Sequence, residues 1–234
     1  MDRTLKALSL ILSYPTRELQ HAMPEIGAIL SSDTRLTVAA RRALRPLVDE
    51  LVGGDIYDLE EQYVVLFDRC RTLSLNLFEH VHGESRDRGG AMVSLVETYR
   101  DNGFDPVTSE LPDHLPVLLE FLATQTPVEA RDTLADAAHI FQALAERFER
   151  RESSFGAVFD ALLQLSGAEE DAEAVAEMLE QPDDDPTDLE ALDKIWEESE
   201  VIVGPDPNAG CPQVRDMLAR MDEVPKPASI SAAE

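Results

Sequence analysis

Apolar residues recur every three or four positions along residues 1–167, which is the spacing of amphipathic α-helices. The first segment with this spacing carries Leu5, Leu8, Ile11 and Leu12. Tyr14-Pro15 predicts the end of this helix, because the residue before a proline disfavours the helical conformation. Thr16 is then the predicted N-cap of a second helix, which reaches about Leu30.

A third helix is predicted over about 34–52 and a fourth after it. Gly53-Gly54 ends the third helix, and Asp55 is the predicted N-cap of the fourth. Leucines then alternate with other residues at 73, 75 and 77, as in a strand, but the sequence offers no second strand to pair with it. We therefore expect an extended buried connector, followed by a fifth helix that contains Tyr99 and ends at Asn102-Gly103.

The stretch Glu110-Leu-Pro-Asp-His-Leu-Pro116 precedes a segment, 117–122, that is apolar almost all round, as a buried helix is. Asp113 is the predicted N-cap of this helix, because its carboxylate can accept from the free N–H groups of the first turn. Pro116 would lie in that first turn, where its missing N–H does little harm. Glu120 is the one carboxylate inside the apolar segment.

The last part of the chain is predicted to be helical and strongly acidic. Thr126-Pro127 predicts a long helix to about Arg151, and a shorter one over 154–165 ends at Gly167. Residues 168–234 hold 20 acidic and 4 basic residues, with helices expected at about 171–180, 187–200 and 211–221. The sequence therefore predicts an all-α protein: one compact multi-helix domain at 1–167, an acidic helical extension at 168–223 and a disordered tail at 224–234.

The composition limits the partners that this chain can have. Its 47 acidic and 20 basic residues give a formal net charge of −27, which repels nucleic-acid phosphates and would steer a basic peptide towards it, although such a charge also serves solubility alone. Cys70 and Cys211 lie far apart and outside metal-ligand spacings, which suits a reducing cytoplasm. No stretch approaches the length of a membrane span, so we expect a cytoplasmic protein without membrane insertion.

Two groups of residues are candidates for chemistry, although the usual phosphate-binding and Gly-x-Ser-x-Gly motifs are absent from the sequence. His80 and His82 would point the same way on an extended segment and could bind zinc, with Cys70 as a candidate third ligand; in a turn they would instead form hydrogen bonds that fix a loop. The second group, which could act as acids and bases or serve structure alone, comprises Glu110, Asp113, His114 and Glu120.

The structural alternative gives each member of this second group an ordinary role. Asp113 would be an N-cap, Glu110 a surface acid of the loop, and His114 a satisfied residue at a helix start. Glu120 would be a core acid that is ion-paired with an arginine of Ser85-Arg-Asp-Arg88.

Three motifs resemble those of a known family. Tyr63-Val-Val-Leu-Phe67 resembles the Tyr-x-x-Leu-Phe element of the redox-enzyme maturation chaperones, and Glu110-Leu-Pro-Asp-His114 resembles their acidic–proline–histidine motif. Residues 75–92 together with 110–122 are similar to the NarJ type, the so-called delta subunit of respiratory nitrate reductase. The resemblance covers about residues 1–165 and places the chain in the superfamily of TorD-like and DmsD-like chaperones.

The resemblance implies an all-helical chaperone with the TorD-like fold and no enzymatic activity. Chaperones of this type bind the N-terminal segment of the nitrate reductase alpha subunit. They hold that subunit apart from the membrane until the molybdenum cofactor and an iron–sulfur cluster are inserted, and they bind no cofactor stably themselves. They are not part of the finished enzyme.

An amphipathic peptide helix would lay its apolar face into a groove between helices, with acids meeting its basic or amide groups. The predicted peptide-binding residues are Tyr63, Leu66, Phe67, Glu110, Pro112, Asp113, His114, Leu118, Glu120 and Phe121. The sequence leaves open which of them face the groove and which the core, and the simplest role for Tyr63, Leu66 and Phe67 is in the core. Two alternatives stay open: a metal-dependent hydrolase using His80, His82, Asp113 and His114, and a permanent subunit of the reductase. The chain could be a monomer or a dimer, since loop 104–111 is a candidate hinge for exchange of elements between two copies.

Overall fold

Helices joined by short loops make up the computed structural model, which describes residues 1–82, 86–169 and 171–183. These residues belong to the first of two compact units, which spans 1–188. Within them the only extended pairing is an isolated antiparallel bridge between Asn76 and His114. The prediction of an all-α fold is therefore confirmed, while the helices expected at 187–200 and 211–221 and the tail at 224–234 lie outside the described residues.

The helices of the first half are α1 (Arg3–Ile11), α2 (Arg17–Ser32), α3 (Val38–Gly53), α4 (Ile56–Tyr63), a π-helical turn (Val64–Asp68), a 3-10 turn (Arg71–Leu73), α5 (Leu77–His82) and α6 (Arg86–Asp101). Those of the second half are α7 (Leu115–Leu122), α8 (Pro127–Asp136), α9 (Ala138–Arg150), α10 (Gly156–Ser166) and α11 (Ala172–Leu179). Among the described helices, none combines the length and apolar character needed to cross a membrane.

Helix ends with a local signal lie where the sequence predicts them. The side chain of Thr16 accepts from the N–H of Leu19, and that of Asp55 accepts from Tyr57. Thr126 forms a full capping box with Glu129 at the start of α8. Gly167 ends α10 with a φ of 63°, a left-handed conformation that glycine adopts without steric cost.

Other helix boundaries differ from the prediction. The third helix begins only at Val38, because Thr37 caps it. A 3-10 turn lies within the expected extended connector, 67–78, and α5 begins at its end. The long helix predicted to reach Arg151 is broken at Ala137 into α8 and α9. A straight helix over 127–150 would extend about 36 Å, roughly twice the length of α10, and the break allows both halves to pack against α10.

The core lies where α1 packs on α2 and α7, and where α10 packs on α3, α8 and α9. Its aromatic centre is a set of neighbouring rings from Phe67, Phe148, Phe155 and Phe159, with centroids 5.1–6.2 Å apart. The predicted connector is buried at Leu73, Leu75 and Leu77, as expected. Its polar backbone finds a partner in the stretch before α7, since the carbonyl of Leu75 accepts from the N–H of Leu115 at 2.8 Å.

Candidate functional site

Asp113 caps a different helix from the one predicted. The N-cap of α7 is His114, whose side chain makes no capping hydrogen bond. The Asp113 carboxylate instead accepts from the backbone N–H of Phe78 at 2.9 Å, and its backbone carbonyl accepts from Leu77 at 3.2 Å. The bridge between Asn76 and His114 sets this geometry, because it brings the stretch alongside the first turn of α5. Asp113 is fully buried, and burial raises the pKa of its carboxyl, opposed by the Phe78 hydrogen bond.

The two histidines of the His-x-His pair do not point the same way, so this premise of the zinc hypothesis is wrong. Both lie on α5, where residues two apart project about 200° from one another. The Nε2 atom of His80 lies 2.8 Å from the carbonyl oxygen of Ser74 and must donate to it, since a carbonyl only accepts. The ring of His82 packs edge-on against Phe78. Among the described residues, no three His, Cys, Asp or Glu side chains are grouped to hold a metal ion.

Glu120 is half-exposed and pairs with Lys6, whose Nζ atom lies 2.5 Å from its Oε1 atom. The expected pairing of Glu120 with Arg88 is therefore wrong. Arg88 pairs with Glu79 at 3.1 Å instead, and the side chain of Arg86 lies outside the described residues. The ion pair between Lys6 and Glu120 joins α1 to α7 across 114 residues of sequence. Helical spacing relates only residues a few positions apart and therefore did not reveal it.

A cleft of about 680 Å³ lies between α1, the start of α7 and the loop that joins α6 to α7. Four of the predicted peptide-binding residues line it: Tyr63, Glu110, His114 and Glu120. Its volume falls within the range of small-ligand pockets, so it can accept a few side chains of a peptide rather than a whole helix. This cleft is the candidate functional site, which we call the α1–α7 cleft.

The loop that closes one side of the α1–α7 cleft is held at both ends by Tyr99. The ring of Phe104, at the start of the loop, packs against Tyr99 and Phe121 with centroids 5.3 and 5.5 Å apart. The hydroxyl of Tyr99 donates to the carbonyl of Pro112, at the far end, at 2.7 Å. The loop carries the fully exposed Val107 between these anchors, so an apolar side chain is presented at the rim.

The α1–α7 cleft is acidic. Four carboxylates line it, namely Asp68, Asp105, Glu110 and Glu120, against one ammonium group, that of Lys6. Burial together with the charge of Glu110 raises the pKa of Asp68. Burial lowers the pKa of His114, opposed by Glu110, so its imidazole is favoured in the neutral form. A cationic or amide-bearing ligand therefore suits this surface better than an anion does.

The remaining predicted peptide-binding residues do not line this cleft. Leu66, Phe67, Leu118 and Phe121 are between 5% and 9% exposed and belong to the core, as does Asp113. Pro112 is half-buried and accepts from Tyr99. A peptide would reach the four apolar side chains only if the core opened, and their assignment as peptide contacts stays a prediction.

Lys6, Tyr14 and Asp68 line the cleft but were not predicted from the sequence. Asp68 directly follows the Tyr63-Val-Val-Leu-Phe67 motif, and this adjacency is the signal that could have identified it. Tyr14 was interpreted only as the end of α1. Its ring packs edge-on against Tyr63 with centroids 5.4 Å apart, and 45% of the residue is exposed.

A second and larger cleft, of about 1110 Å³, lies between α3, α9 and α10. None of the predicted peptide-binding residues lines it. We place the candidate site in the α1–α7 cleft because the two family motifs meet there. Tyr63 comes from one motif, and Glu110 and His114 come from the other.

Comparisons with known proteins agree with the motifs. Residues 33–161 match the family described as nitrate reductase delta subunit. The chain is 41% identical over 208 residues to the nitrate reductase molybdenum cofactor assembly chaperone NarJ of Escherichia coli (strain K12), which covers 88% of this chain and 87% of that protein. It is 36% identical over 197 residues to the "probable nitrate reductase molybdenum cofactor assembly chaperone NarW" of the same strain. That alignment covers 84% of this chain and 82% of that protein.

The chain is also similar to a solved structure. It is that of a proposed redox enzyme maturation protein from Archaeoglobus fulgidus, with a TM-score of 0.49 and 25% sequence identity. The alignment covers 70% of this chain and 92% of the other.

Proposed function

The chain belongs to the nitrate reductase delta subunit family, and from that premise we propose that it is an assembly chaperone of a respiratory nitrate reductase. Its client would be the catalytic alpha subunit, held until the molybdenum cofactor and the iron–sulfur cluster are inserted. The cofactor is cargo for the client, and the chaperone binds none stably. In this role the protein is not an enzyme, and it acts in the cytoplasm before the reductase reaches the membrane.

One observation carries the peptide-binding part of this proposal: the α1–α7 cleft combines acids with exposed apolar side chains. Asp68, Glu110 and Glu120 supply negative charge, while Tyr14 and Val107 supply apolar surface at the rim. The N-terminal segment of the client would place side chains in the cleft and lay its apolar face over the rim, as amphipathic peptides do in grooves between helices. The net charge of −27 would speed its encounter if the segment is basic.

The arrangement favours holding a client over transforming it. The acids of the α1–α7 cleft lie beside a histidine, but none of the residues lining the cleft is a cysteine, and its serines, Ser9 and Ser13, donate to backbone carbonyls of Pro116 and Ser9. A serine whose hydroxyl donates its hydrogen bond to a backbone carbonyl is not paired with a base that could activate it as a nucleophile. The metal-dependent hydrolase alternative gains no support from this cleft either, because only His114 of its four residues lines it.

Calorimetry with a synthetic peptide from the start of a nitrate reductase alpha subunit tests the proposal. We expect a dissociation constant in the micromolar range or tighter, weakened by added salt because exposed charges are screened. A scrambled peptide of the same composition is the control for charge alone. No heat and no rise in melting temperature at high peptide concentration would refute the peptide-binding role.

Co-purification separates a chaperone from a permanent subunit. We expect the chain to be recovered with the alpha subunit when cofactor synthesis is blocked, and to be missing from the mature membrane-bound reductase. Stoichiometric recovery with the mature enzyme would favour the permanent-subunit alternative instead. Size-exclusion chromatography with light scattering of the free chain would establish whether it is a monomer or a dimer.

A further inference from the structure

The π-helical turn Val64–Asp68 directs one side chain into the core and the next into the α1–α7 cleft. Phe67 is buried against Phe148 and Phe155, whereas Asp68 is exposed and lines the cleft. A π-helical turn is a costly departure from regular α-helix and is frequent at functional sites. Here it follows α4 without interruption, so it sets the position of Asp68 relative to Tyr63.

Asp68 meets a second carboxylate, Glu110, which reaches the same cleft from the loop before α7. The two charges repel one another, and this repulsion adds to burial in raising the pKa of Asp68. Glu120, a third acid of the cleft, is paired with Lys6. Among the described residues, no lysine, arginine or histidine forms an ion pair with Asp68 or Glu110. Two like charges thus share one end of the cleft without a counter-ion from the part of the chain that the structure describes.

Two tyrosine rings line the same cleft. Tyr14 is 45% exposed, and its ring packs edge to face at 5.4 Å against that of Tyr63, which is only 7% exposed and supports Tyr14 from the core side. The hydroxyl of Tyr63 donates to the carbonyl of Leu12 at 3.1 Å, which fixes the ring in place. The Nδ1 atom of His114 is buried and has no hydrogen-bond partner among the described residues. His114 lines the cleft, so a polar atom without a described partner lies within the cleft wall.

We propose that Asp68 and Glu110, together with the rings of Tyr14 and Tyr63, form a subsite that binds one cationic side chain of the client segment. The inference rests on the proposed function, because it names the side chain that enters the cleft. A carboxylate accepts stronger hydrogen bonds from a cationic donor than a neutral acceptor does, and a tyrosine ring attracts a cation placed over its face. An arginine suits the subsite better than a lysine, since its planar guanidinium can donate to two carboxylates while stacking on a ring.

A double-mutant cycle between chaperone and peptide tests the subsite. The peptide is a synthetic segment from the start of the alpha subunit, made also as a series in which each arginine or lysine is replaced singly by glutamine. The chaperone variants are Asp68→Asn and Glu110→Gln, which keep the side-chain shape and remove one charge. Asp101→Asn, at the exposed end of α6 and outside the cleft, is the control with the same change of net charge.

We expect Asp68→Asn and Glu110→Gln each to weaken binding of the unmodified peptide about tenfold, as loss of a charge-assisted hydrogen bond does. Asp101→Asn should change affinity less than about twofold, as an exposed charge does. The peptide that lacks the cationic side chain of the subsite should bind the wild type about tenfold more weakly than the unmodified peptide. Its affinity should no longer change when the chaperone carries Asp68→Asn. Tyr14→Leu should weaken binding by about threefold, through loss of the ring. Melting curves of all the variants check that the fold is intact.

The outcomes separate the subsite from the proposed function. If the wild type binds the peptide and Asp68→Asn and Glu110→Gln bind it as well as Asp101→Asn does, the subsite is wrong and the chaperone role stands. The subsite is also wrong if both variants weaken every peptide equally, because that result shows only long-range attraction. If the wild type does not bind the unmodified peptide, both the peptide-binding role and the subsite are refuted.

Discussion

The carboxylate of Asp113 accepts a hydrogen bond from the backbone N–H of Phe78 at 2.9 Å, across 35 residues of sequence. This bond ties the stretch before α7 to the first turn of α5. It gives a structural role to the aspartate of the acidic–proline–histidine motif, while its neighbours Glu110 and His114 reach the cleft. The motif therefore holds the fold with one residue and forms the candidate site with others.

Asp113→Ala is expected to lower the free energy of unfolding by about 1–3 kcal/mol, because it leaves the buried N–H of Phe78 without an acceptor. Asp113→Asn should cost less, since its amide oxygen can still accept that bond. Urea denaturation monitored by circular dichroism measures both. Glu110 is exposed, so Glu110→Gln is the control and should keep the wild-type stability. Equal stability of the Ala and Asn variants would argue against the capping role.

Asp33 should make the fold sensitive to acid. Hydrogen bonds from Arg35, and a further one from the hydroxyl of Thr4, lower the pKa of Asp33 to about 2, against an ordinary value of 3.8. Since the folded-state pKa is the lower one, this stabilisation is present above 3.8 and is lost as the pH falls through about 2. Asp33→Asn should be less stable at neutral pH and should lose less stability between pH 4 and pH 2, roughly the interval between these two values.

Denaturation series across this pH range measure the effect of Asp33→Asn. Asp49→Asn, which removes an exposed ion pair with Arg45, is the matched control and should follow the wild-type profile. A steeper loss of stability in acid for Asp33→Asn than for the wild type would contradict the assignment.

Lys6→Gln is expected to strengthen binding of a basic client peptide by about twofold to fivefold, because it removes the one ammonium group that lines the α1–α7 cleft. The stability of the chain should change by less than about 1 kcal/mol, since the ion pair with Glu120 is partly exposed. Calorimetry at low and high salt measures the affinity. Arg100→Gln on α6 changes the net charge equally and should have a smaller effect. Weaker binding by Lys6→Gln would show that the ammonium group contacts the client directly.

Arg147→Met is expected to destabilise the chain by about 2–3 kcal/mol and to loosen α11. The guanidinium of Arg147 is buried and donates to the carbonyls of Met178 and Gln181 and to the carboxylate of Asp183, at 2.6–3.2 Å. These bonds hold the end of α11 against α9. Hydrogen exchange of residues 172–179 should speed up in the variant.

Arg150→Met provides the comparison for Arg147→Met. Arg150 lies on the same helix, but its ion pair with Glu146 is exposed, so the loss of stability should stay within about 0.5 kcal/mol. Unchanged exchange of α11 in Arg147→Met would mean that apolar packing, including the buried Val175, holds this helix without the arginine.

Local signals in the sequence were sufficient for most helices. Thr16, Asp55 and Thr126 cap helices through hydrogen bonds to residues two or three positions away, so the cap and its partner lie in one short window. The break at Ala137 has no such signal. It follows from the packing of both α8 and α9 on α10, which begins about 20 residues after the break.

Only some of the predicted peptide-binding residues line the candidate cleft. Tyr63, Glu110, His114 and Glu120 line the cleft, whereas the apolar residues expected beside them are in the core. An apolar stripe predicts which face of a helix is buried, but it does not distinguish burial in a core from exposure in a groove. The charged partners were missed for a related reason, since Lys6 meets Glu120 only when α1 packs on α7.

The sequence by itself determined the helical class, the capped helix ends, the acidic character and, through its motifs, the family. These properties depend on residue type and on spacings of a few positions, which the chain carries whether or not it is folded. The tertiary structure decided that Asp113 caps α5, that Lys6 neutralises Glu120, and that Asp68 and Glu110 share a cleft. Those contacts join segments 35 to 114 residues apart, and only packing of the apolar helix faces brings them together.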